Sequence, residues 1–246
     1  MPTRKRVRAP AAVRPYRSVK VDAVLDEPLS RWRWLIKPVL LVPHHLVLTA
    51  LWIPFVAASA VAFFSILCTG RYPRILFAFT TGVLRWAWRV GFYFFGALGT
   101  DRYPPFSLGA VPGYPARLVI VYPERLSRGL VLVKWPLLLP HLVVFGFFGL
   151  LFRLAQWWGG FVWLLAVSAA AASCLAGPGM VLLVTGRYPR RMFDMLIGSD
   201  RWILRVVSYA ALMTDEYPPL RPTPGGTEPE ERSPDGTEPQ ERSPGE

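Results

Sequence analysis

Two long apolar runs dominate the pattern of hydrophobic and polar positions along the chain. The first occupies residues 38–68 and is interrupted by His44, His45 and Pro54. As a single helix it would extend about 46 Å, against a hydrocarbon core of about 30 Å. The run therefore predicts one of two structures: a helix whose first turns lie in the membrane interface, or a re-entrant segment that bends at Pro54.

The second apolar run, residues 135–184, is long enough for two membrane crossings. Near its middle it is interrupted by Arg153, by a pair of tryptophans and by a pair of glycines. Charge, interfacial aromatic residues and a glycine turn are typical of the connection between two spanning helices. We predict a hairpin with spans at about 135–152 and 160–184.

A six-residue phrase, T-G-R-Y-P-R, occurs at residues 69–74 and again at residues 185–190. Each copy follows an apolar run and precedes two arginines four positions apart, and then the phrase T-D-x-Y-P-P at residues 100–105 or 214–219. Such a repetition predicts two related structural units. Equivalent arginines of the two copies are 116 positions apart, Arg85 with Arg201 and Arg89 with Arg205.

Each T-G-R-Y-P-R copy opens a segment whose polar residues fall on one face of a helix, at residues 75–98 and 191–213. Two arginines at the centre of a lone spanning helix would cost about 2.5–3.5 kcal/mol each. An amphipathic helix in the plane of the membrane avoids this cost, and Trp86, Trp88 and Trp202 suit the depth of the interface. We therefore favour in-plane helices. The alternative is a pair of spanning helices whose arginine stripes face partner helices.

T-G-R-Y-P-R has a structural interpretation and a functional one. Gly70 and Gly186 stand where a helix C-terminus favours a left-handed residue, and the prolines that follow prevent continuation of the helix. The tyrosines of the phrase are expected at the headgroup level. In the functional interpretation, arginines of the loops and of the striped helices contact a lipid phosphate or a protein partner. The residues assigned to this contact are Arg71, Arg74, Arg85, Arg89, Arg187, Arg190, Arg191, Arg201 and Arg205.

Two segments that alternate in hydrophobicity, residues 19–25 and 117–122, are candidate strands. Each leads to the phrase L-S-R, at residues 29–31 and 126–128, and these phrases are 97 positions apart. Two short strands do not form a stable sheet unaided. We expect the two segments to pair with each other or to lie flat on the membrane face.

Charge strengthens the membrane interpretation. Up to Arg221 the chain has 26 lysines and arginines and 9 acids, whereas its last 25 residues carry 2 arginines and 7 acids. Because most basic residues flank apolar runs, they indicate an anionic membrane surface rather than nucleic acid. Residues 1–20 are basic and contain no acid, which predicts a cytoplasmic N-terminus and no cleaved signal.

Candidate chemistry is sparse. His44 and His141 occupy equivalent positions of the two copies, yet no acid or cysteine lies near them in the sequence, and a zinc site needs about four ligands. We interpret them as interface residues. Cys68 and Cys174 are expected to be buried and inert, and Asp194 to pair with arginines of its own helix face. Since no nucleophile, phosphate-loop or dinucleotide motif occurs, we predict no catalytic residue, no metal and no cofactor.

These motifs resemble the family known as domain of unknown function 4389, a group of uncharacterised bacterial membrane proteins. The resemblance covers residues 16–220 as two tandem copies and implies a membrane protein without an established activity. It rests on the repeated T-G-R-Y-P-R and T-D-x-Y-P-P phrases and on two repeated dipeptides, Pro43-His44 with Pro140-His141 and Arg85-Trp86 with Arg201-Trp202.

These patterns together predict an all-α integral membrane protein of the cell membrane with several crossings. Its two related units each contain one or two spanning helices and an amphipathic arginine–tryptophan helix. The predicted parts are a basic disordered tail at 1–15, membrane units at 16–112 and 113–221, and a disordered acidic tail at 222–246. The charge distribution favours the bend at Pro54, because that topology keeps every basic segment except Arg153 cytoplasmic.

The function expected from these patterns is non-catalytic. The basic amphipathic helices would bind anionic lipid, a protein partner or a second copy of the chain. The alternative is a small transporter or channel with an arginine-lined anion path between the repeats. A third hypothesis, a membrane-embedded enzyme that uses the histidines, has the least support, because the apolar runs contain no acids.

Overall fold

The structure, a computed structural model, describes residues 18–30, 32–94, 98–141, 143, 181–182, 185 and 188–219. The predicted tails and almost all of the predicted hairpin lie outside this part of the chain. The described part is mostly helical but includes two short strands, which corrects the all-α prediction. Its elements are β1 (Val19–Ala23), α1 (Arg33–Thr69), α2 (Arg74–Tyr93), β2 (Ala116–Ile120), α3 (Arg128–Leu137) and α4 (Arg190–Ala210).

The two strands form an antiparallel pair centred on Val21 and Leu118. Of the two arrangements expected for these segments, direct pairing is the one observed. Every second side chain of each strand is buried, as the alternation in the sequence indicated. The buried side chains belong to the same apolar core as residues of α1, α2 and α4, and this packing stabilises a sheet that would be marginal alone.

The free edges of this sheet are closed by two arginines of the helices. Val21 and Leu118 face each other at a position without ladder hydrogen bonds, because those bonds fall on the alternate residue pairs. Their carbonyl oxygens therefore point outwards, one at each edge. Arg85 Nε of α2 donates to the Leu118 oxygen at 3.0 Å, and Arg201 Nε of α4 donates to the Val21 oxygen at 3.0 Å. Each strand edge is thus covered by a helix from the other half of the chain.

Helix α1 runs without interruption through Pro38, Pro43 and Pro54. Since the chain does not reverse at Pro54, the predicted re-entrant bend is wrong. About one side chain per turn is buried along the whole helix, and most of the remaining surface is apolar and exposed. The buried positions are Lys37, Leu41, His44, Leu48, Phe55, Ala58, Ala62 and Ile66.

Among the described residues, one helical segment, Ile36–Thr69, is long and apolar enough to cross a membrane. Only 22% of its most apolar window is buried inside the protein. A core helix of a soluble protein would be mostly buried, so this exposure favours contact with lipid. Cys68, expected to be buried, is exposed near the end of this segment.

The first T-G-R-Y-P-R phrase ends α1 as predicted. Gly70 adopts a left-handed conformation with φ of 71°, and its N–H donates to the oxygen of Ile66. Pro73 then precedes the first residue of α2. The tyrosines of the phrase face the protein interior. Tyr72 and Tyr188 are both buried, and they pack edge-on against Phe77 and Phe193 respectively.

The arginine stripes of α2 and α4 also face the protein. Helix α2 packs between α1 and β2, and α4 packs against β1. Trp86 and Trp88 are buried inside the protein rather than placed in the membrane interface, and Trp202 is half-buried. The amphipathic pattern predicts a helix in both segments, and α2 and α4 are helices. Its polar face is buried because the sheet and its loops supply backbone oxygens for the arginines.

Replacing Gly70 by alanine is expected to destabilise the protein by about 1–2 kcal/mol, because an L-residue with a Cβ is strained at this φ. The added Cβ would meet no atom closer than 3.5 Å, so the effect isolates backbone strain. Thermal unfolding in detergent, followed by tryptophan fluorescence, measures the change. The matched control is Gly91→Ala inside α2, where the Cβ meets nothing within 4 Å and stability should rise by about 0.5–1 kcal/mol. Equal melting temperatures for the two variants would contradict the left-handed cap.

Candidate functional site

The first T-D-x-Y-P-P phrase holds the start of α1 through a buried lysine. Lys37 is 2% exposed; its Nζ donates to the oxygen of Thr100 at 2.8 Å and lies 3.0 Å from Asp101 Oδ1. The second carboxylate oxygen of Asp101 accepts the backbone N–H of Ser30 at 2.6 Å. One acid therefore neutralises the buried ammonium and also binds the segment just before the helix.

The second T-D-x-Y-P-P phrase makes equivalent contacts with the last turn of α3 and with the residue that precedes the helix. Lys134 is fully buried; its Nζ donates to the oxygen of Thr214 at 2.8 Å and lies 2.7 Å from Asp215 Oδ1. Asp215 Oδ2 accepts the N–H of Ser127 at 2.7 Å. Burial lowers the pKa of Lys134, and the hydrogen bond and charge of Asp215 act in the opposite direction.

The sequence contained a signal for these ion pairs. Lys37 and Lys134 each lie seven positions after the serine of an L-S-R phrase, so they are themselves 97 positions apart. Both are isolated within otherwise apolar surroundings. A lysine in that setting points to a buried partner. The repeated aspartates of T-D-x-Y-P-P are those partners.

The two equivalent histidines lie in aromatic surroundings inside the protein. Both are fully buried. Trp86 Nε1 donates to His44 Nδ1 at 3.1 Å, and the hydroxyl of Tyr217 lies 3.3 Å from His141 Nδ1. The other ring nitrogen of each histidine is buried without a hydrogen-bond partner. In the described part of the chain no three His, Cys, Asp or Glu residues are close enough together to hold a metal ion.

Most arginines of the stripes contact the protein's own backbone. Besides the edge contacts of Arg85 and Arg201, Arg89 of α2 donates to the oxygens of Gly109, at 2.9 Å, and Ser107. Arg89, Arg201 and Arg205 are only 1–3% exposed. These three residues are therefore inside the fold and not on its open surface, and their contact with a lipid phosphate stays a prediction.

The loop arginines, in contrast, are exposed. Arg71 and Arg74 follow the last turn of α1, and the Arg74 guanidinium lies over the ring of Tyr122 at 5.5 Å. The exposed Arg128 also approaches Gly70. Three guanidiniums are therefore available to solvent at the end of α1.

The equivalent loop of the second copy is described in part. Arg190 and Arg191 are exposed, and Arg190 NH2 lies 3.9 Å from Glu27. Arg187 lies outside the described residues. Asp194, expected to pair with Arg190 or Arg201, is in no ion pair found within the described segments.

A groove of about 330 Å³ lies at the free edge of β2 and is lined by Arg85, Arg89 and Arg117. Arg117 stands opposite Asp22 in the sheet register, and both also line the neighbouring cleft. The carboxylate of Asp22 offsets the charge of Arg117. The arginines at the end of α1 are therefore the more open anion-binding group.

Asp200 of α4 is the most perturbed acid among the described residues. Its Oδ2 is buried without a hydrogen-bond partner, and burial raises its pKa to about 7. The pKa of the buried Tyr188 is raised as well, first by burial and then by the charge of Asp200. Because an uncompensated carboxylate is expensive to bury, the protonated form of Asp200 is favoured below about pH 7.

Comparison with known proteins gives one partial match. A family model described as Domain of unknown function (DUF4389) matches residues 31–107, which is less than half of the chain. The matched segment contains α1, α2 and the first T-D-x-Y-P-P phrase and ends before β2. It is a single match, so it gives no support for two tandem copies of this family. No curated protein and no solved structure matches the chain.

Asp215→Asn is expected to destabilise the protein by about 3–5 kcal/mol, because it leaves the Lys134 ammonium buried without a counter-charge. Lys134→Met should be less harmful, since the Asp215 side chain is 30% exposed and can be hydrated. Unfolding free energies in detergent test this asymmetry. The control is Arg102→Gln, which breaks the exposed Arg102–Asp26 pair and should cost at most about 1 kcal/mol. A larger loss for Lys134→Met than for Asp215→Asn would contradict the assignment.

The stability of the protein is expected to decline as the pH rises from about 4 to above 7. Asp200 has a folded-state pKa of about 7 against an ordinary value of 3.8, so its favourable contribution is present at low pH and lost through pH 7. The loss is at most about 4 kcal/mol. Asp200→Asn should flatten this part of the pH profile of the melting temperature, whereas Asp194→Asn on the same helix should leave it unchanged. If the melting temperature of Asp200→Asn varied with pH as in the unmodified protein, the Asp200 carboxyl would not be the cause of the decline.

Proposed function

We propose that this protein is a non-catalytic membrane protein that binds anionic phospholipid headgroups. The observation that carries the proposal is the position of the exposed arginines Arg71, Arg74 and Arg128 at the end of α1, the helix with a broad exposed apolar surface. A lipid whose acyl chains contact the exposed apolar surface of α1 can place its phosphate at these arginines.

The chemistry of the loop favours a phosphate. A guanidinium presents several N–H donors in a planar fork that matches phosphate oxygens, and two neighbouring guanidiniums can share one dianionic or monoanionic group. The stacking of Arg74 on the Tyr122 ring orients one guanidinium without consuming its donors.

We further infer that the chain consists of two related units arranged about an approximate two-fold axis between Val21 and Leu118. The support is that contacts recur at equivalent positions of the chain. The recurring pairs are Lys37–Asp101 with Lys134–Asp215, Tyr103–Leu40 with Tyr217–Leu137, and Arg85–Leu118 with Arg201–Val21. Because each strand contacts the helix of the other unit, the units are interlocked and would not fold separately.

The alternative functions have less support. An anion path would need arginines with donors facing an open channel, whereas Arg89 and Arg201 donate to backbone oxygens of the protein. A histidine-based enzyme would need an accessible base near an acid or a metal, and His44 and His141 are fully buried among aromatic rings. A protein partner remains compatible with the same exposed arginines and is an outcome that the following experiment separates.

The double variant Arg71→Gln/Arg74→Gln is expected to weaken binding of short-chain phosphatidylglycerol by about 30-fold. This follows from about 1 kcal/mol for each basic residue at an anionic membrane surface. The measurement is the dissociation constant of the purified protein in detergent, from its tryptophan fluorescence. Short-chain phosphatidylcholine is the neutral probe, and its binding should not change.

The matched control is Lys20→Gln/Arg117→Gln, which removes the same two charges from exposed positions on the strands. It should keep the affinity of the unmodified protein for phosphatidylglycerol. Equal losses in the two double variants would mean that binding follows net charge alone. Equal affinity of the unmodified protein for the anionic and neutral probes would overturn the proposal and leave a protein partner as the occupant of the arginines.

A further inference from the structure

We propose that the outward face of α1 is a docking surface for a single leaflet of the bilayer, so that α1 lies in the plane of the membrane with both of its ends on the same side. The inference rests on the proposed membrane association and not on the choice of lipid headgroup. It concerns the apolar surface of α1, which the protein leaves exposed along the whole length of the helix.

The beginning of α1 is tied to the segment that follows α2. Lys37 binds Thr100 and Asp101, and the hydroxyl of Tyr103 donates to the oxygen of Leu40 at 3.0 Å. These contacts involve a buried charge and a backbone oxygen, so they are not incidental surface contacts. The first two turns of α1 are therefore fixed to residues 100–103.

The end of α1 is tied to the same segment, farther along the chain. The N–H of Leu126 donates to the oxygen of Gly70 at 2.9 Å, and the hydroxyl of Tyr122 donates to the oxygen of Tyr72. Both ends of the helix are thus bound by one continuous stretch, residues 100–126. This stretch includes β2 and is joined to β1 through the sheet.

The stretch between these two sets of contacts is irregular in large part and has charged residues at exposed positions. It exposes Arg102, Gly109, Pro112 and Arg117, and outside β2 it contains no helix or strand. If α1 crossed the hydrocarbon core, this stretch would have to cross beside it, with exposed loops and arginines at membrane depth. Exposed irregular backbone is not tolerated there, because its polar groups would lose their hydrogen bonds to water.

The burial pattern of α1 agrees with a helix that lies along the protein. A spanning helix would leave the polar part of the protein after its first turns. In α1, buried side chains recur from Lys37 to Ile66 and belong largely to the core that contains Val21 of β1. The opposite side exposes large apolar residues at its beginning, middle and end, as in Val39 at 69%, Ile53 at 76% and Phe64 at 65% exposed.

The length of α1 points the same way. Its 37 residues extend about 55 Å, whereas the hydrocarbon core is about 30 Å thick. A straight helix of this length would need a tilt of nearly 60° to match the core, beyond the range of about 0–40° found for spanning helices. Lying in the plane requires no match in length, and amphipathic in-plane helices bury their apolar face about 5–10 Å deep.

This orientation also agrees with the tendency of basic loops to lie on the cytoplasmic side of a membrane. With both ends of α1 on one side, the loop with Arg71 and Arg74 lies on the same side as the start of the helix. The sequence-predicted hairpin at residues 135–184 would then supply an even number of crossings. All loops with clustered arginines would remain on the cytoplasmic side.

Depth measurement tests the orientation directly. Spin labels are placed on single cysteines at Val39, Ile53 and Phe64, in protein whose Cys68 and Cys174 are replaced by serine and which is reconstituted in phosphatidylcholine–phosphatidylglycerol vesicles. We expect the three labels to lie at similar shallow depths, within about 10 Å of the headgroups. A label at Val119, on an exposed strand position, is the aqueous control. A label at Ile53 near the bilayer centre, with Val39 and Phe64 at opposite surfaces, would overturn the proposal.

Sided labelling in intact cells provides the second measurement. Single cysteines at Trp32, before α1, and at Arg125, beside its end, are both exposed in the fold. In intact cells an impermeant maleimide should react with both cysteines or with neither. After permeabilisation both should react. Reaction of one site only in intact cells would contradict the orientation even if anionic lipid still binds. A protein that is absent from the membrane fraction would instead refute the membrane function itself.

Discussion

A two-stranded sheet has two free edges, and in this protein the polar groups at both edges are covered by charged side chains from helices. Arg201, which is buried, and Arg85, which is half-buried, each donate to an outward-pointing carbonyl of the central residue pair. Leaving such an oxygen buried without a partner would cost about 1–3 kcal/mol. The contact also fixes which helix covers which strand, so the first half of the chain is locked onto the second. The remaining packing follows from this interlock.

The buried lysines of α1 and α3 are likewise stabilised by polar partners from a distant part of the chain. An ammonium inside the protein is tolerated only when an acid and further acceptors surround it, and each T-D-x-Y-P-P phrase supplies both a carboxylate and a backbone oxygen. These contacts fix the first turns of α1 and the last turn of α3. Helix α1 is held at its start by Lys37 and at its end by Gly70, so these contacts set its orientation, and its apolar outer side stays exposed.

The exposed arginines and the buried arginines have different roles. The chain uses arginine in two ways: as an internal hydrogen-bond donor to strand and loop oxygens, and as an open charge beside the end of α1. The two groups cannot be separated by residue type, and both occur at repeated positions. Burial distinguishes them, with Arg89 and Arg201 almost inaccessible and Arg71 and Arg74 exposed.

The sequence by itself determined the features that depend on local patterns. The apolar run of α1, its glycine cap at Gly70, the helical character of α2 and α4 and the two strand segments all follow from periodicity and from backbone preferences of single residues. Only the tertiary structure decided what the polar residues face, because strand oxygens and distant acids approach them from remote parts of the chain. An amphipathic stripe at a membrane surface and a stripe buried on a sheet have the same period. The repeated arginines could therefore be read as lipid-facing until the fold placed Leu118 and Val21 against them.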